Sequence, residues 1–346
     1  MTRVTLSLGR ACNNACVFCS QDALPPSSPL DLATELARLR GTGATELTLV
    51  GGEPTLQPAL AEVIRLARAQ GFERVGLQTN GRLLASLAPA LAAAGLTDVH
   101  VTVLGGEPAV HDYHTAVEGS FRALVAGLGV ARSHGLQVVA TTVMTRSNYR
   151  VLNAIGPLLQ SRGVSAWQVT APLVAGRAVA AMDRVIPRLA LAVPYALHAL
   201  DAAQRLGLRT FVSGIPSCLL GPFITRALPG APRAFAPQCA GCPARERCSG
   251  VDATYLARFG DDELTPVANA LAAPAPLDGI ARMFTGPGET FVPENIVVPA
   301  PPATARAQLG EMGKGVPATA EVSSKDRKSG EALKGIFPEL FKAKDG

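Results

Sequence analysis

Short apolar segments alternate with longer amphipathic segments along this chain, and that alternation most constrains its fold. Candidate strands cover residues 4–9, 46–50, 74–78, 98–104, 137–145 and 166–170. Candidate helices cover residues 30–40, 57–70, 83–94, 119–134 and 148–161, and a further helix (188–205) and strand (208–212) follow. Strands joined through helices lie parallel in one sheet, so the pattern predicts an α/β fold. A closed eight-unit barrel would need two more units than the first six strands provide.

Composition excludes several classes of protein. The chain has 346 residues, 48% hydrophobic and 17% charged, which is typical of one large globular domain with an appendage. The net charge is only +5 and aromatic residues are 5%, so we expect no nucleic-acid binding. An apolar strand starting at Val4 leads directly into the first cysteine, so we expect no signal peptide. The most apolar stretch, 189–200, is too short to span a bilayer. Without an export signal, we expect a cytoplasmic protein.

Three of the seven cysteines form a C-x3-C-x2-C run directly after the first candidate strand. They are Cys12, Cys16 and Cys19. Thiolates hold iron–sulfur clusters, and a [4Fe–4S] cube takes four of them, so three would leave one iron open to a small molecule. The alternatives are a zinc loop or three buried cysteines. Zinc loops usually combine two pairs of ligands, which this run lacks.

The other four cysteines lie far along the chain, and the last three have C-x2-C-x5-C spacing. They are Cys218, Cys239, Cys242 and Cys248. Four thiolates close a site completely, and both tetrahedral zinc and a [4Fe–4S] cluster fit this pattern. An odd cysteine count without an export signal favours metal ligation in a reducing cytosol over disulfides.

Two further motifs follow candidate strands of the sheet. The second strand leads into Gly51-Gly52-Glu53-Pro54, and the third leads into Thr79-Asn80-Gly81. Ligands gather at the carboxyl ends of parallel strands, and paired glycines let a backbone approach a ligand closely. The alternatives are a plain turn with a capping carboxylate and a common Asn-Gly turn pair.

The C-x3-C-x2-C run with GGEP about thirty residues beyond it resembles the signature of the radical S-adenosylmethionine (radical SAM) family. The resemblance implies an open partial (β/α)6 TIM-like barrel over residues 1–210. It also implies a catalytic [4Fe–4S] cluster on Cys12, Cys16 and Cys19, with S-adenosylmethionine on the open iron. The implied cofactor-binding residues are Phe18, Gly51, Gly52, Glu53, Pro54, Thr79, Asn80 and Thr102. GGEP would contact the methionine amino group and Thr102 the ribose, whereas Leu104 departs from the polar residue common in the family.

Polar residues near the ends of the fifth and sixth strands are further candidates for cofactor or substrate contacts. They are Thr142, Gln168, Thr170 and Arg177, although strand-end polar groups also occur for structural reasons. The pair His111-Asp112 fits either an acid–base couple or a helix-start cap, and we favour the cap.

The second cysteine set resembles the twitch or SPASM extension of radical SAM enzymes. That resemblance implies one auxiliary [4Fe–4S] cluster on Cys218, Cys239, Cys242 and Cys248, with an open iron if Cys218 is not a ligand. Arg245 and Arg247 flank these cysteines, where positive charge would raise the cluster's reduction potential, although a solvated basic loop is the ordinary interpretation. The extension would cover 211–293. Residues 294–346, rich in Pro, Ala and Lys, would form a disordered tail, in which the stretch 329–344 is either a short terminal helix or a frayed end.

The resemblance implies reductive cleavage of S-adenosylmethionine to a 5′-deoxyadenosyl radical that takes hydrogen from a substrate. We expect a peptide or protein side chain as substrate, in an oxidation, cross-link or other maturation step. A small cofactor precursor, as in molybdopterin biosynthesis, is the second candidate, and the absence of a peptide-recognition domain before the barrel counts against a leader-dependent enzyme. The electron donor would be a flavodoxin or ferredoxin. A non-catalytic iron–sulfur or zinc protein is the alternative of another class.

Overall fold

The computed structural model describes residues 2–20, 30–230, 233–269, 277–284 and 296–297. The expected tail at 294–346 lies outside the described residues, apart from Ile296–Val297. Among the described helices, none combines the length and apolar character that crossing a bilayer requires.

Seven parallel strands form the central sheet of the fold. In chain order the strands are β1 (Arg3–Ser7), β2 (Leu30–Asp31), β3 (Glu46–Val50), β4 (Arg74–Thr79), β5 (Asp98–Thr102), β6 (Gln137–Val143), β7 (Ala166–Thr170), β8 (Arg209–Ser213) and β9 (Ile296–Val297). The sheet order is β1-β3-β4-β5-β6-β7-β8, so each strand lies beside its predecessor in the sheet, while β2 pairs separately with β9. Because every pairing in the sheet is parallel, all seven carboxyl ends share one edge.

The sheet has one strand more than the expected six. Strand β8 pairs with β7 in register, with Thr170 opposite Ser213. It matches the strand predicted at 208–212, which joins the sheet as a seventh strand and crosses the expected boundary at residue 210. The sheet remains open, with β1 and β8 at its two edges.

Helices connect the strands, and most lie where the sequence predicts them. They are α1 (Leu32–Gly41), α2 (Leu60–Ala69), α3 (Leu84–Ala93), α4 (Pro108–Thr115), α5 (Ser120–Ser133), α6 (Ile155–Ser161), α7 (Arg177–Ala180), α8 (Met182–Val185), α9 (Leu189–Arg205), α10 (Ala253–Phe259) and α11 (Gly279–Arg282). Short 3-10 helices cover Pro54–Leu56, Tyr149–Ala154, Ser217–Leu219, Gly221–Arg226, Pro237–Gly241 and Arg245–Arg247. The helix predicted from residue 148 thus begins as a 3-10 turn, and α4 is an addition to the prediction.

Burial of apolar helix faces against the sheet holds these layers together. In α2 the buried residues Leu60, Val63, Ile64 and Ala67 follow the spacing of one helix face. Every residue of β3 is buried, as is typical of a strand covered on both sides. Full burial of each large aliphatic side chain contributes about 1.5–3 kcal/mol.

Buried charges and helix α11 close the end of the sheet opposite the strand carboxyl ends. The guanidinium of Arg3 pairs with Asp98 and, at 3.4 Å, with Glu46. Arg282 of α11 also pairs with Glu46 at 2.9 Å. The ring of Phe284, just after α11, packs edge-on against His100 at 5.1 Å. The interior of the sheet is therefore filled at this end, and the functional residues lie at the other.

Candidate functional site at the carboxyl ends of the strands

The first cysteine loop begins directly after β1 and rests on the GGEP turn. The backbone N–H of Gly52 donates to the carbonyl of Gly9 at 2.9 Å, and that of Glu53 donates to Ala11 at 2.8 Å. A Cβ on Gly52 would lie 2.2 Å from the Arg10 carbonyl oxygen, closer than any real contact. Glycine is therefore needed here because the cysteine loop passes directly over the turn.

Two other loops hold the opposite side of the cysteine loop. The N–H of Ala15 donates to Thr115 at the end of α4, at 2.9 Å. The N–H of Arg177 donates to the Cys19 carbonyl at 3.0 Å, and its guanidinium reaches the Cys16 carbonyl at 3.3 Å. The loop is thus held by backbone contacts to the ends of several different βα units, which fixes the positions of its thiols.

The three thiols are free of disulfides and lie close enough to influence one another. Burial raises the pKa of Cys16 to about 12, and the neighbouring Cys12 and Cys19 raise it further, while Arg177 opposes the shift. Burial also raises the pKa of Cys12, whose sulfur accepts a hydrogen bond from the Asn14 N–H at 3.4 Å. Clustered thiols of this kind ionise readily only when a cationic group binds them together, so the donor set fits a metal cluster.

The carboxylate of Glu53 joins the GGEP turn to the loop after β4. It accepts hydrogen bonds from the Thr55 N–H at 3.0 Å, the Thr55 hydroxyl at 2.5 Å, the Thr79 hydroxyl at 2.6 Å and the Asn80 N–H at 2.7 Å. Three of these donors reach one oxygen and only Asn80 reaches the other. The second oxygen therefore retains acceptor capacity beside the cysteine loop.

Asn80 connects the same loop to the cysteines. Its side-chain amide donates to the Asn13 side chain at 2.7 Å and lies 4.0 Å from the Cys12 sulfur. Arg82 donates to the Asn13 carbonyl from the other side. Of the other expected residues, Pro54 is buried at the start of its 3-10 turn and Phe18 packs against the core. The structure thus brings the GGEP and Thr-Asn-Gly motifs together with the first cysteine loop.

A line of polar side chains crosses the inner face of the sheet in neighbouring strands. The His100 ring nitrogen Nε2 lies 2.6 Å from the Thr141 hydroxyl, and this hydroxyl donates to Gln168 at 3.0 Å. The amide of Gln168 in turn donates to the Ser213 hydroxyl at 2.5 Å. Thr102 is paired with Thr141 across β5 and β6, and Thr170 with Ser213 across β7 and β8. Gln168, Thr102 and Thr170 therefore share one face of the sheet.

Thr142 lies elsewhere than the sequence suggested. Its side chain is fully buried, donates to the Val103 carbonyl at 2.6 Å and accepts from the Trp167 indole at 2.9 Å. Successive residues of a strand point to opposite faces, so Thr142 faces the helices where Thr141 faces the interior. Its hydroxyl is satisfied within the core, and we leave it out of the proposed cofactor site.

The His111-Asp112 pair forms the favoured helix-start arrangement. The Asp112 carboxylate accepts from the Gly119 N–H, the Ser120 hydroxyl and the Phe121 N–H, each at 2.7 Å, at the start of α5. The His111 ring accepts from the Leu104 N–H at 3.2 Å. These bonds use the polar atoms structurally rather than for proton transfer.

The second cysteine set lines a single pocket. All four of its thiols contribute to the wall: Cys218, Cys239, Cys242 and Cys248. The Cys248 sulfur accepts from the Ser217 N–H at 3.3 Å and the Gly250 N–H at 3.4 Å. Burial raises the pKa of Cys218, and a hydrogen bond from the backbone of Thr265 opposes the shift. Four thiols around one pocket, with backbone N–H groups directed at one of the sulfurs, fit the ligand set of a cluster as well.

Neither cysteine set is arranged around one small ion. Among the residues that the structure describes, no group of three His, Cys, Asp or Glu side chains is arranged to hold a single metal ion. Thiolates on one tetrahedral zinc would lie roughly 3.8 Å apart, given Zn–S bonds of ~2.3 Å.

Comparisons with known proteins agree with this geometry. Residues 6–150 match the profile of the Radical SAM superfamily. An AdoMet-dependent heme synthase from Nitratidesulfovibrio vulgaris is 28% identical over 183 residues, covering 51% of this chain and 50% of that protein. A probable GTP 3′,8-cyclase from Methanopyrus kandleri is 35% identical over 148 residues, covering 42% of this chain and 48% of that protein. The chain thus spans about half the length of these relatives.

Among solved structures, Streptococcus suis SuiB bound to the precursor peptide SuiA has a similar fold. The TM-score is 0.50 with 13% sequence identity, over 61% of this chain and 48% of SuiB. The matched profile covers the first cysteine loop, the GGEP turn and the Thr-Asn-Gly loop, whose mutual contacts are described above. The part of the chain that matches the Radical SAM superfamily, residues 6–150, is thus the part that brings these three motifs together.

Proposed function

We propose that this chain binds a [4Fe–4S] cluster through Cys12, Cys16 and Cys19 and cleaves S-adenosylmethionine reductively at its open iron. The observation that carries the proposal is that the loop bearing three free thiols rests on the GGEP turn, through hydrogen bonds from the Gly52 and Glu53 N–H groups to the carbonyls of Gly9 and Ala11. When bound, the cluster and S-adenosylmethionine supply an electron and a 5′-deoxyadenosyl radical that takes hydrogen from the substrate. A flavodoxin or ferredoxin would supply the electron.

The chain's own residues orient the cofactor and exclude water. The second oxygen of the Glu53 carboxylate, which has one donor, would accept from the methionine ammonium group. The side chain of Asn80, held by Asn13, would line the cofactor beside Cys12. Thr102, on the inner face of the sheet, would contact the ribose. Gln168 and Thr170 would contact the adenosine or the substrate deeper in the barrel.

The second part of the proposal is an auxiliary [4Fe–4S] cluster on Cys218, Cys239, Cys242 and Cys248. It is supported by the pocket that the four thiols share and by the two N–H groups directed at Cys248. Such a cluster would accept an electron from the substrate after hydrogen removal, making the overall reaction an oxidation or cross-link.

For the substrate we propose a peptide or protein side chain. A small polar molecule is the second candidate, and the names of the relatives favour it, because GTP and heme are both small molecules. Thr102 and Thr170, the inner-face residues at the carboxyl ends of β5 and β7, offer hydrogen-bonding groups for either class. To distinguish the two substrate classes, the protein is incubated with S-adenosylmethionine, reductant and either cell-derived peptides or small metabolites. Mass spectrometry then shows which class is modified.

Anaerobic reconstitution tests the reaction itself. The chain should bind about eight irons, four per cube, and release 5′-deoxyadenosine when S-adenosylmethionine and reductant are added. Replacing Cys12, Cys16 and Cys19 together by alanine should halve the iron and abolish the product. The matched control replaces the four later cysteines, which should also halve the iron but leave cofactor cleavage in place. Cleavage that survived the first change would refute the site.

A further inference from the structure

Arg233 lies where the second cysteine pocket meets the barrel. Its guanidinium nitrogen Nη2 donates to the carbonyl of Gly214, the residue directly after β8. The same nitrogen lies 3.3 Å from the carbonyl of Gly250, two residues after Cys248. A Cβ built on Gly214 would lie 3.5 Å from both Arg233 Nη2 and the Thr170 hydroxyl. One side chain thus bridges the inner edge of the sheet and the cysteine pocket.

The backbone around Arg233 holds it in this position. Ala234 and Val251 form an antiparallel bridge with hydrogen bonds of 2.8 and 3.0 Å, and the Arg233 N–H donates to Ser249 at 3.0 Å. Gly250 has a positive φ of 62°, and a Cβ there would lie 2.4 Å from the Ala234 carbonyl oxygen. The segment carrying Arg233 is therefore packed directly against the segment carrying Cys248.

The charge on Arg233 is partly removed from water, and Asp252 and Cys248 lie near enough to influence it. Burial lowers the pKa of Arg233, while Asp252 and the Cys248 thiolate both oppose that shift. Arginine remains protonated throughout the accessible pH range even when partly buried. Arg245 and Arg247, which flank the cysteines in sequence, are both exposed, although Arg245 also lines the cysteine pocket, where it stacks on the Phe235 ring at 4.6 Å. Solvent screens exposed charges far more than buried ones.

We propose that Arg233 is a positioning residue that holds a cation between the cysteine pocket and the barrel. This cation sets the reduction potential of the auxiliary cluster. The inference rests on the auxiliary cluster of the proposed function. Reduction adds one negative charge to a cluster, and a nearby cation with little screening stabilises the reduced form. Arg233 therefore raises the potential, and Asp252 lowers it.

The experiment measures the potential of the auxiliary cluster alone. The background is the full chain with Cys12, Cys16 and Cys19 replaced by alanine, reconstituted anaerobically and titrated with titanium(III) citrate while EPR is recorded. Arg233→Met should make reduction about tenfold less favourable, which is 59 mV for a one-electron couple. Arg233→Lys should stay close to the parent. Arg247→Met, the matched control, removes an exposed charge next to Cys248 and should shift the potential much less.

Asp252→Asn tests the same electrostatic claim from the opposite side. Asparagine keeps the cap that Asp252 makes on the Thr254 N–H at 2.8 Å, so folding should be preserved, and the potential should rise. If Arg233→Met does not fold, Arg233→Gln, which removes the charge but keeps an N–H donor for the Gly214 and Gly250 carbonyls, is titrated in its place. Equal shifts in Arg233→Met and Arg247→Met, or no rise in Asp252→Asn, would overturn the inference. Absence of iron in the parent would instead refute the auxiliary cluster, and with it the inference.

Discussion

The Glu53 carboxylate accepts the backbone N–H of Asn80 at 2.7 Å, and this bond joins two loops that are separated by a helix and a strand in the sequence. Asn80 then reaches Asn13 in the first cysteine loop at 2.7 Å. Through these contacts, the positions of the GGEP turn, the loop after β4 and the first cysteine loop depend on one another. A change at Glu53 should therefore affect cofactor binding and local stability together.

Glu53→Gln should weaken binding of S-adenosylmethionine by about tenfold and lower the unfolding free energy by about 1–2 kcal/mol. The amide group would set an N–H against the Asn80 N–H and would lack the charge for the methionine ammonium group. Equilibrium dialysis and urea unfolding measure the two effects. Glu62→Gln is the control, since Glu62 pairs only at the surface of α2, with Arg65. Unchanged affinity in Glu53→Gln would contradict the role given to this carboxylate.

Gly52→Ala should displace the first cysteine loop and reduce the iron content from about eight to about four per chain. The new methyl group would meet the Arg10 carbonyl oxygen at 2.2 Å and that of Ala11 at 2.5 Å, and backbone atoms there have little room to move. The control is Gly129→Ala in α5, where nothing lies within 4 Å of the added carbon. Measurement of the iron content per chain distinguishes the two variants. About eight irons per chain in Gly52→Ala would contradict the claim that the GGEP turn supports the first cysteine loop.

Cys218→Ala should change the EPR spectrum of the auxiliary cluster, because Cys218 lines the same pocket as the other three thiols. The loss of one thiolate leaves one iron with another ligand and alters the electronic structure of the cube. Ser217→Ala is the control, since it keeps the backbone N–H that reaches Cys248. Identical spectra for Cys218→Ala and the parent would show that Cys218 is not a ligand.

The chain should lose stability as the pH falls from about 6.5 towards 4. Burial lowers the pKa of both His111 and His114 to about 4. The unfolded chain, with ordinary histidines, therefore binds more protons in this range, and each residue contributes at most about 1.4 kcal/mol per pH unit. Urea unfolding at a series of pH values measures the slope. His111→Gln should reduce it, whereas His134→Gln, at an exposed position, should not. If the unfolding free energy of His111→Gln depended on pH as steeply as that of the parent, the contribution given to His111 would be contradicted.

The order of elements follows from the sequence because the hydrophobic patterns of strands and helices are distinct. Strand bounds such as Glu46–Val50 and Ala166–Thr170 agree with the residues predicted for them. The spacing of the cysteines and GGEP also identified the region in which the thiols and turns meet. Parallel strands place their carboxyl ends at one edge, so residues far apart in the chain come together without further information.

Two kinds of site residue could not be predicted from the sequence: those that depend on which face of a strand a side chain occupies, and those that depend on long-range packing. Thr141 and Thr142 are adjacent threonines in a buried strand, and composition does not distinguish the inner face from the helix face. The sequence analysis missed His100 and Ser213 of the inner polar line. Each lies two residues from, or opposite, a residue of the same face, Thr102 for His100 and Thr170 for Ser213, so strand periodicity and register could have identified them. Arg233 became apparent only through the bridge between Ala234 and Val251.

The central claim is that three thiolates leave one iron open and that S-adenosylmethionine binds there. The most direct measurement is the EPR spectrum of the reduced first cluster, recorded with and without S-adenosylmethionine, in a chain whose four later cysteines are alanine. The account predicts that adding the cofactor changes the spectrum of this cluster. A reduced cluster whose spectrum is the same with and without S-adenosylmethionine would contradict it.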